Sequence, residues 1–129
     1  MATSKIDYLP KVVESGTSGM WTYRKWSDGT AECWGIVSKT TNFAVWAAPI
    51  YYGTTYTGNQ AYPTNLFISE PVVTALMQHG GGADVWLGLD SQNPANNTRS
   101  PSFYPLRLNT TGQATYKVGI HAIGKWRQE

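Results

Sequence analysis

The side chains able to do acid–base, nucleophilic or metal chemistry in this sequence are few and poorly grouped. There are two histidines, His79 and His121, and one cysteine, Cys33. A zinc site needs closely spaced ligands such as His-x-x-x-His, and no such pairing occurs, so no metal is expected. Cys33 stands mid-strand between Glu32 and Trp34 and reads as a small buried thiol rather than a nucleophile. There is no Gly-x-Ser-x-Gly elbow. The triplet Gly80-Gly81-Gly82 lacks the lysine and following helix of a phosphate loop, so no cofactor is expected either. Among the eight carboxylates, glycoside hydrolysis would need two that face each other. Glu32 with Asp84 or Asp90 is the combination to consider, and nothing in their spacing requires it. The expectation is a protein that is not an enzyme.

What the chain has in quantity is rings. Of its 129 residues 13% are aromatic, with six Trp and eight Tyr, while only 14% are charged. Trp and Tyr carry an apolar face with a polar handle, and such faces stack on the C–H side of sugar rings. Trp34, Trp46 and Trp126 lie within strand-like runs and are expected in the core. The rings and polar groups at or near loops are the candidates for ligand contact: Tyr51, Tyr52, Tyr56, His79, Asp84, Trp86 and Arg99. The net charge is +2 and the ten basic residues are scattered singly, which argues against a nucleic-acid face. No apolar run approaches a membrane span, so no membrane insertion is expected. The start, Met-Ala-Thr-Ser-Lys, lacks the apolar stretch of a secretory signal. A protein acting outside the cell would then leave it by another route, such as lysis.

The elements that must position these groups read as all-β. Thr, Ser and Asn make up about a quarter of the chain, a composition of strands and turns. Residues 1–19 read as an irregular N-terminal arm or linker with a flexible joint at Ser15-Gly16-Thr17-Ser18-Gly19. Residues 20–26 and 31–38 alternate about Ser27-Asp28-Gly29, a hairpin signature. Residues 43–52 form an apolar run expected to be a strand covered on both sides. A polar loop follows over 53–63, then short strands over 66–68, 72–78 and 84–89. Residues 91–102 make a long polar loop of the kind that tends to carry function. Strands over 103–108 and 114–126 flank a turn at 109–112. In the last strand Tyr116, Val118, Ile120, Ala122 and Trp126 are expected inward. About eight short strands match a single antiparallel β-sandwich or jelly roll over residues 20–129.

Two stretches also resemble a known family. Trp21, Tyr23, Lys25, Trp26, Gly29, Ala31, Glu32, Trp34 and Gly35 spell Trp-x-Tyr-x-Lys-Trp-x-x-Gly-x-Ala-Glu-x-Trp-Gly. That pattern is similar to a motif of tail-tip and tail-fibre proteins from phages and prophages of Gram-positive bacteria. The closing run from Tyr116 to Trp126 resembles their C-terminal strand. The resemblance implies the C-terminal head or tip domain of a phage receptor-binding protein, a homotrimer that recognises a cell-wall or capsular saccharide. It further implies attachment to other tail proteins through the N-terminal arm and a place in the virion at the tail tip, acting at the host cell surface. Two alternatives stay open: a structural trimerisation tip with no ligand of its own, and a glycan-cleaving enzyme built on Glu32, Asp84 or Asp90.

Overall fold

A computed structural model of the chain describes residues 9–82, 84–108 and 111–128. Within them lie eight strands and no helix: β1 Val12–Ser18, β2 Trp21–Trp26, β3 Thr30–Ala47, β4 Ile50–Gly53, β5 Val72–His79, β6 Trp86–Leu89, β7 Phe103–Leu108 and β8 Gly112–Lys125. They form one sheet in which every pairing is antiparallel. The centre is β3, whose whole first part, Thr30 to Phe43, pairs with β8. Its other edge carries two branches. β2 and then β1 hang on the stretch near Ala31–Trp34, and β4, β7 and β6 follow from Phe43 onward. β5 closes the far side of β8.

The β2–β3 hairpin forms as its sequence predicts. Gly29 adopts a φ of +92°, a left-handed conformation that a residue without Cβ takes freely. Asp28 Oδ1 accepts from the Thr30 amide at 2.9 Å, and the register sets Thr22 opposite Trp34. The period-two pattern of β8 also holds. Tyr116, Val118, Ile120 and Ala122 are at most 2% exposed. They meet Ala31, Cys33 and Val37 of β3 and Trp21 of β2 in the core. Cys33 is fully buried, and burial together with the Glu32 charge pushes its thiol up to about 12, an inert structural sulfur.

Five expectations need correction. Trp34, expected inside, stands on the outer face of the sheet with Ile36 and His121, because its neighbour Cys33 takes the core side and alternation sends Trp34 to the other. The joint expected at residues 15–19 is strand: β1 pairs with β2 from Val12 to Ser18, and only the Gly19–Met20 step turns. Its side chains are nearly all exposed, so its shape comes from pairing with β2 rather than from its own pattern. Residues 1–8 of the expected arm lie outside the described residues. The run 43–52 is not one doubly covered strand. β3 ends at Ala47 after a bulge between Val45 and Ala47, and the chain doubles back into β4. Residues 66–68 are no strand; Leu66 and Phe67 are apolar because they plug the core, at 1% and 4% exposed. Trp46, expected inside, is 62% exposed: it falls on the face opposite buried Thr41 and Phe43, beside Tyr52 and Tyr104. The turn expected at 109–112 falls partly on residues 109 and 110, which are outside the described residues.

Candidate functional site

The two long loops are held together by buried hydroxyls. Thr57, Ser100 and Ser102 are at most 2% exposed, and each completes a bond between loops. The Thr57 amide donates to Phe103 O at 2.8 Å and the Phe103 amide returns to Thr57 Oγ1 at 2.9 Å. The Gly58 and Gln60 amides donate to Ser102 Oγ and Ser100 Oγ. Asn59 Nδ2 donates to Ser100 O at 2.7 Å and to Asn93 O at 2.9 Å. Tyr116, from the core strand, donates its hydroxyl to Thr55 O at 2.7 Å. With these buried hydroxyls and amides paired, the two loops are tied in one geometry and form a preorganised surface despite their polar composition.

On that surface four rings gather: Trp46 from β3, Tyr52 from β4, Tyr56 from the first loop and Tyr104 from β7. Tyr56 and Tyr104 stack at 4.9 Å between centroids with 23° between planes, and Tyr52 meets Tyr104 edge-on at 6.4 Å. Gly88 of β6 sits opposite Tyr104 in the ladder, and a Cβ there would lie 2.6 Å from Tyr104 Cζ. Only glycine lets the ring lie across its neighbour strand. Gly88→Ala is therefore expected to displace Tyr104 from Tyr56 while the backbone pairing persists. An altered near-ultraviolet circular dichroism spectrum over an intact far-ultraviolet spectrum would register it; two unchanged spectra would refute it.

Beside the rings lies a polar hollow lined by Tyr56, Tyr104, Asp90, Gln92 and Asn93. Asp90 is 8% exposed. Its Oδ1 accepts from the Gln92 amide at 3.0 Å and its Oδ2 from Asn93 Nδ2 at 2.7 Å, an Asx-type turn that orients the Asn93 amide. Burial foremost, then the neighbouring Tyr52, Asp90 and Tyr104, pushes the Tyr56 hydroxyl above its ordinary range. It stays a neutral O–H, able to donate and accept. One exposed and three half-buried rings beside oriented amides and hydroxyls can grip a hydroxyl-rich ligand with apolar faces.

Of the seven residues expected to bind ligand, Tyr52 and Tyr56 come together here. Tyr51 alternates to the other face of β4, opposite Arg107 and Val45. His79 ends β5 opposite Lys117. Asp84 is exposed in the connection before β6. Trp86 opens β6 opposite Leu106, 42% exposed, and does not line the ring cluster or the polar hollow. Arg99 braces its own loop, donating Nε–H to Pro94 O at 3.1 Å. Trp46, Tyr104, Gln92 and Asn93 went unsignalled as contacts. Asn93 belonged to the loop its length singled out; Tyr104 and Trp46 read as ordinary strand residues.

A second feature lies on the sheet face turned away from the core. Arg24 Nε donates to Glu32 Oε1 at 2.6 Å and His121 Nε2 to Glu32 Oε2 at 2.9 Å, with the Arg24 guanidinium over the Trp34 ring at 4.9 Å. Burial works to raise the Glu32 carboxyl, but hydrogen bonds and charges of His121 and Arg24 outweigh it and hold it below its ordinary 4.5. A depressed carboxyl stabilises the fold in full above its unfolded value and loses that contribution as pH falls through the folded value. The melting-temperature gap between native chain and Glu32→Gln is expected to close on acidification below about 4. A gap that stays constant from neutral pH to pH 3 would contradict the pairing. Both Glu32 oxygens are taken up here, whereas Asp90 lies beneath the tyrosines, held by Gln92 and Asn93. The Glu32–Asp90 combination considered for hydrolysis is thus split between two surfaces.

No protein-family model, curated protein or solved structure matches this chain, so the site is read from its own chemistry.

Proposed function

We propose that the chain is a phage host-adhesion domain that binds a saccharide of a Gram-positive cell surface. The observation that carries this reading is the Trp46–Tyr52–Tyr56–Tyr104 cluster beside the Asp90–Asn93 turn. A tryptophan 62% exposed on a rigid scaffold costs solvation that a ligand's apolar face would recover. Planar amides one step away suit sugar hydroxyls. The phage setting rests on the Trp21–Gly35 motif and its resemblance to tail-tip proteins. With it go a place in the virion and attachment to other tail proteins through the N-terminal segment. The structural-tip alternative is less well supported, because it predicts loops without a common hollow, and the two loops share one.

The finer architecture that accompanies the reading is a sandwich-like head assembled as a homotrimer. Support for self-association comes from the outer face of β3, β8 and β5. There Ile36 and Leu76, 58% and 65% exposed, flank Gly119 in register above a hollow of about 300 Å³ whose walls include Trp34. A shallow sugar site gains about 10²–10⁴ in avidity when several copies are linked. Leu76→Lys is expected to shift sedimentation toward the monomer; a native chain that already sediments as a monomer at high concentration would remove the trimer.

The adhesion reading is tested by retention of the purified chain on isolated Gram-positive walls before and after their surface polysaccharide is stripped. Retention that disappears with the polysaccharide supports it; retention that survives stripping, or never occurs, rejects it.

A further inference from the structure

The ring cluster, the polar hollow and a third depression adjoin one another through shared walls. Tyr56 and Tyr104 belong to both the first and the second, while Leu89, Asp90, Ser91 and Asn93 belong to both the second and the third. The third is walled by Glu70, Pro94 and Pro101. The three measure about 240, 380 and 410 Å³. Their chemistry changes in order, from the ring cluster through oriented amides to a proline-lined end, and a carboxylate recurs in the last two. Among the described residues, the lining of all three holds Asp90 and Glu70 and no lysine, arginine or histidine. Arg99, which neighbours Pro94, is not part of the lining, and its Nε–H is engaged by the Pro94 carbonyl.

From this we infer that the groove takes an uncharged saccharide chain of about three or more units, lying from Trp46 to Pro94, rather than a single sugar or an anionic polymer. The inference rests on the saccharide reading above and narrows it. A phosphate- or uronate-bearing chain entering this groove would lose hydration with no cation to replace it, and would pass two carboxylates of its own sign. A neutral chain meets no such penalty. Its apolar faces find Trp46 and Tyr104 at one end and the prolines at the other, and its hydroxyls find Gln92 and Asn93 between. Because the subsites are contiguous, each added unit gains contacts until the groove is full, and further length adds nothing.

The test is a printed panel probed with the full native chain. It carries neutral gluco-, galacto- and rhamno-oligosaccharides of one to six units, together with poly(glycerol phosphate) and a polyuronate. The expected result is retention on neutral chains alone, rising by about tenfold or more from one unit to three and then levelling. Glu70→Lys, which turns one of the two carboxylates of the lining into a cation, is expected to admit the anionic chains; anionic chains still refused by that variant would count against charge selection by the groove. Strongest retention on poly(glycerol phosphate) or polyuronate, lost in Trp46→Ala, would overturn the inference while leaving saccharide adhesion in place. Monosaccharides held as firmly as trisaccharides would also overturn it. Retention on none of the glycans would sink both.

Discussion

Replacing Trp46 by alanine is expected to weaken retention on host walls by about thirtyfold or more while leaving thermal unfolding where it was. The two halves of that expectation have one cause. Trp46 is 62% exposed, so its indole contributes little to the interior. In the proposed complex it supplies a large apolar face beside Tyr52, Tyr56 and Tyr104. Central aromatic anchors of this kind carry about 2 kcal/mol or more of binding energy, which is the thirtyfold figure. Surface plasmon resonance on wall fragments paired with differential scanning calorimetry separates the two effects. Equal loss of binding and stability would mean that Trp46 is a structural ring, and unaltered binding would remove it from the site.

The opposite behaviour is expected of Trp21. Its ring is 2% exposed, 5.3 Å from the Tyr62 ring, and its Nε1–H donates to Ala61 O at 2.7 Å. It therefore both fills the core and ties down the loop that carries Tyr56, Tyr62, Leu66 and Phe67. Trp21→Ala is expected to cost about 3–5 kcal/mol of folding free energy, the range for emptying so large a buried volume. That is a major fraction of the roughly 5–15 kcal/mol that holds a domain together. Trp21→Phe keeps a ring against Tyr62 and loses the N–H, so a smaller cost is expected, and the difference isolates the tie to Ala61. Chemical denaturation of the three proteins checks this; a Trp21→Ala cost under 1 kcal/mol would mean the core is not organised around that ring.

The contrast between these two tryptophans also marks what was legible in the sequence. Trp21 opens a hairpin whose turn residues, Asp28 and Gly29, dictate their own conformation, so its strand follows from local chemistry; which face turns inward does not, since Trp34 of the same hairpin, expected in the core, lies on the outer face beneath Arg24. β8 was equally readable because its period-two pattern meets a sheet buried on one side. Trp46 was not. The run 43–52 is apolar on both faces, and such a run reads as covered until the bulge at Val45–Ala47 and the return into β4 are known, and these are facts of pairing. β1 shows the same limit from the polar side: Glu14-Ser15-Gly16-Thr17-Ser18 has no strand pattern, and only β2 makes it one. Of the site, Tyr52 and Tyr56 were within reach because residue type and nearness to a loop both pointed to them, whereas Asn93 was marked only by the length of its loop. Tyr104 was hidden because its exposure depends on Gly88 of the neighbouring strand, a relation between residues far apart in the sequence.

The central claim, that sugar is held where the four rings and the Asp90–Asn93 turn meet, is tested most directly by nuclear magnetic resonance. A neutral polysaccharide fragment that the chain retains would be titrated into isotopically labelled protein. Saturable shifts are expected at the Trp46 indole, the Tyr104 ring and the Asn93 side-chain amide, with the Trp34 indole and His121 unmoved. Shifts centred on Trp34, Ile36 and His121 instead would place the ligand on the outer face and contradict that claim.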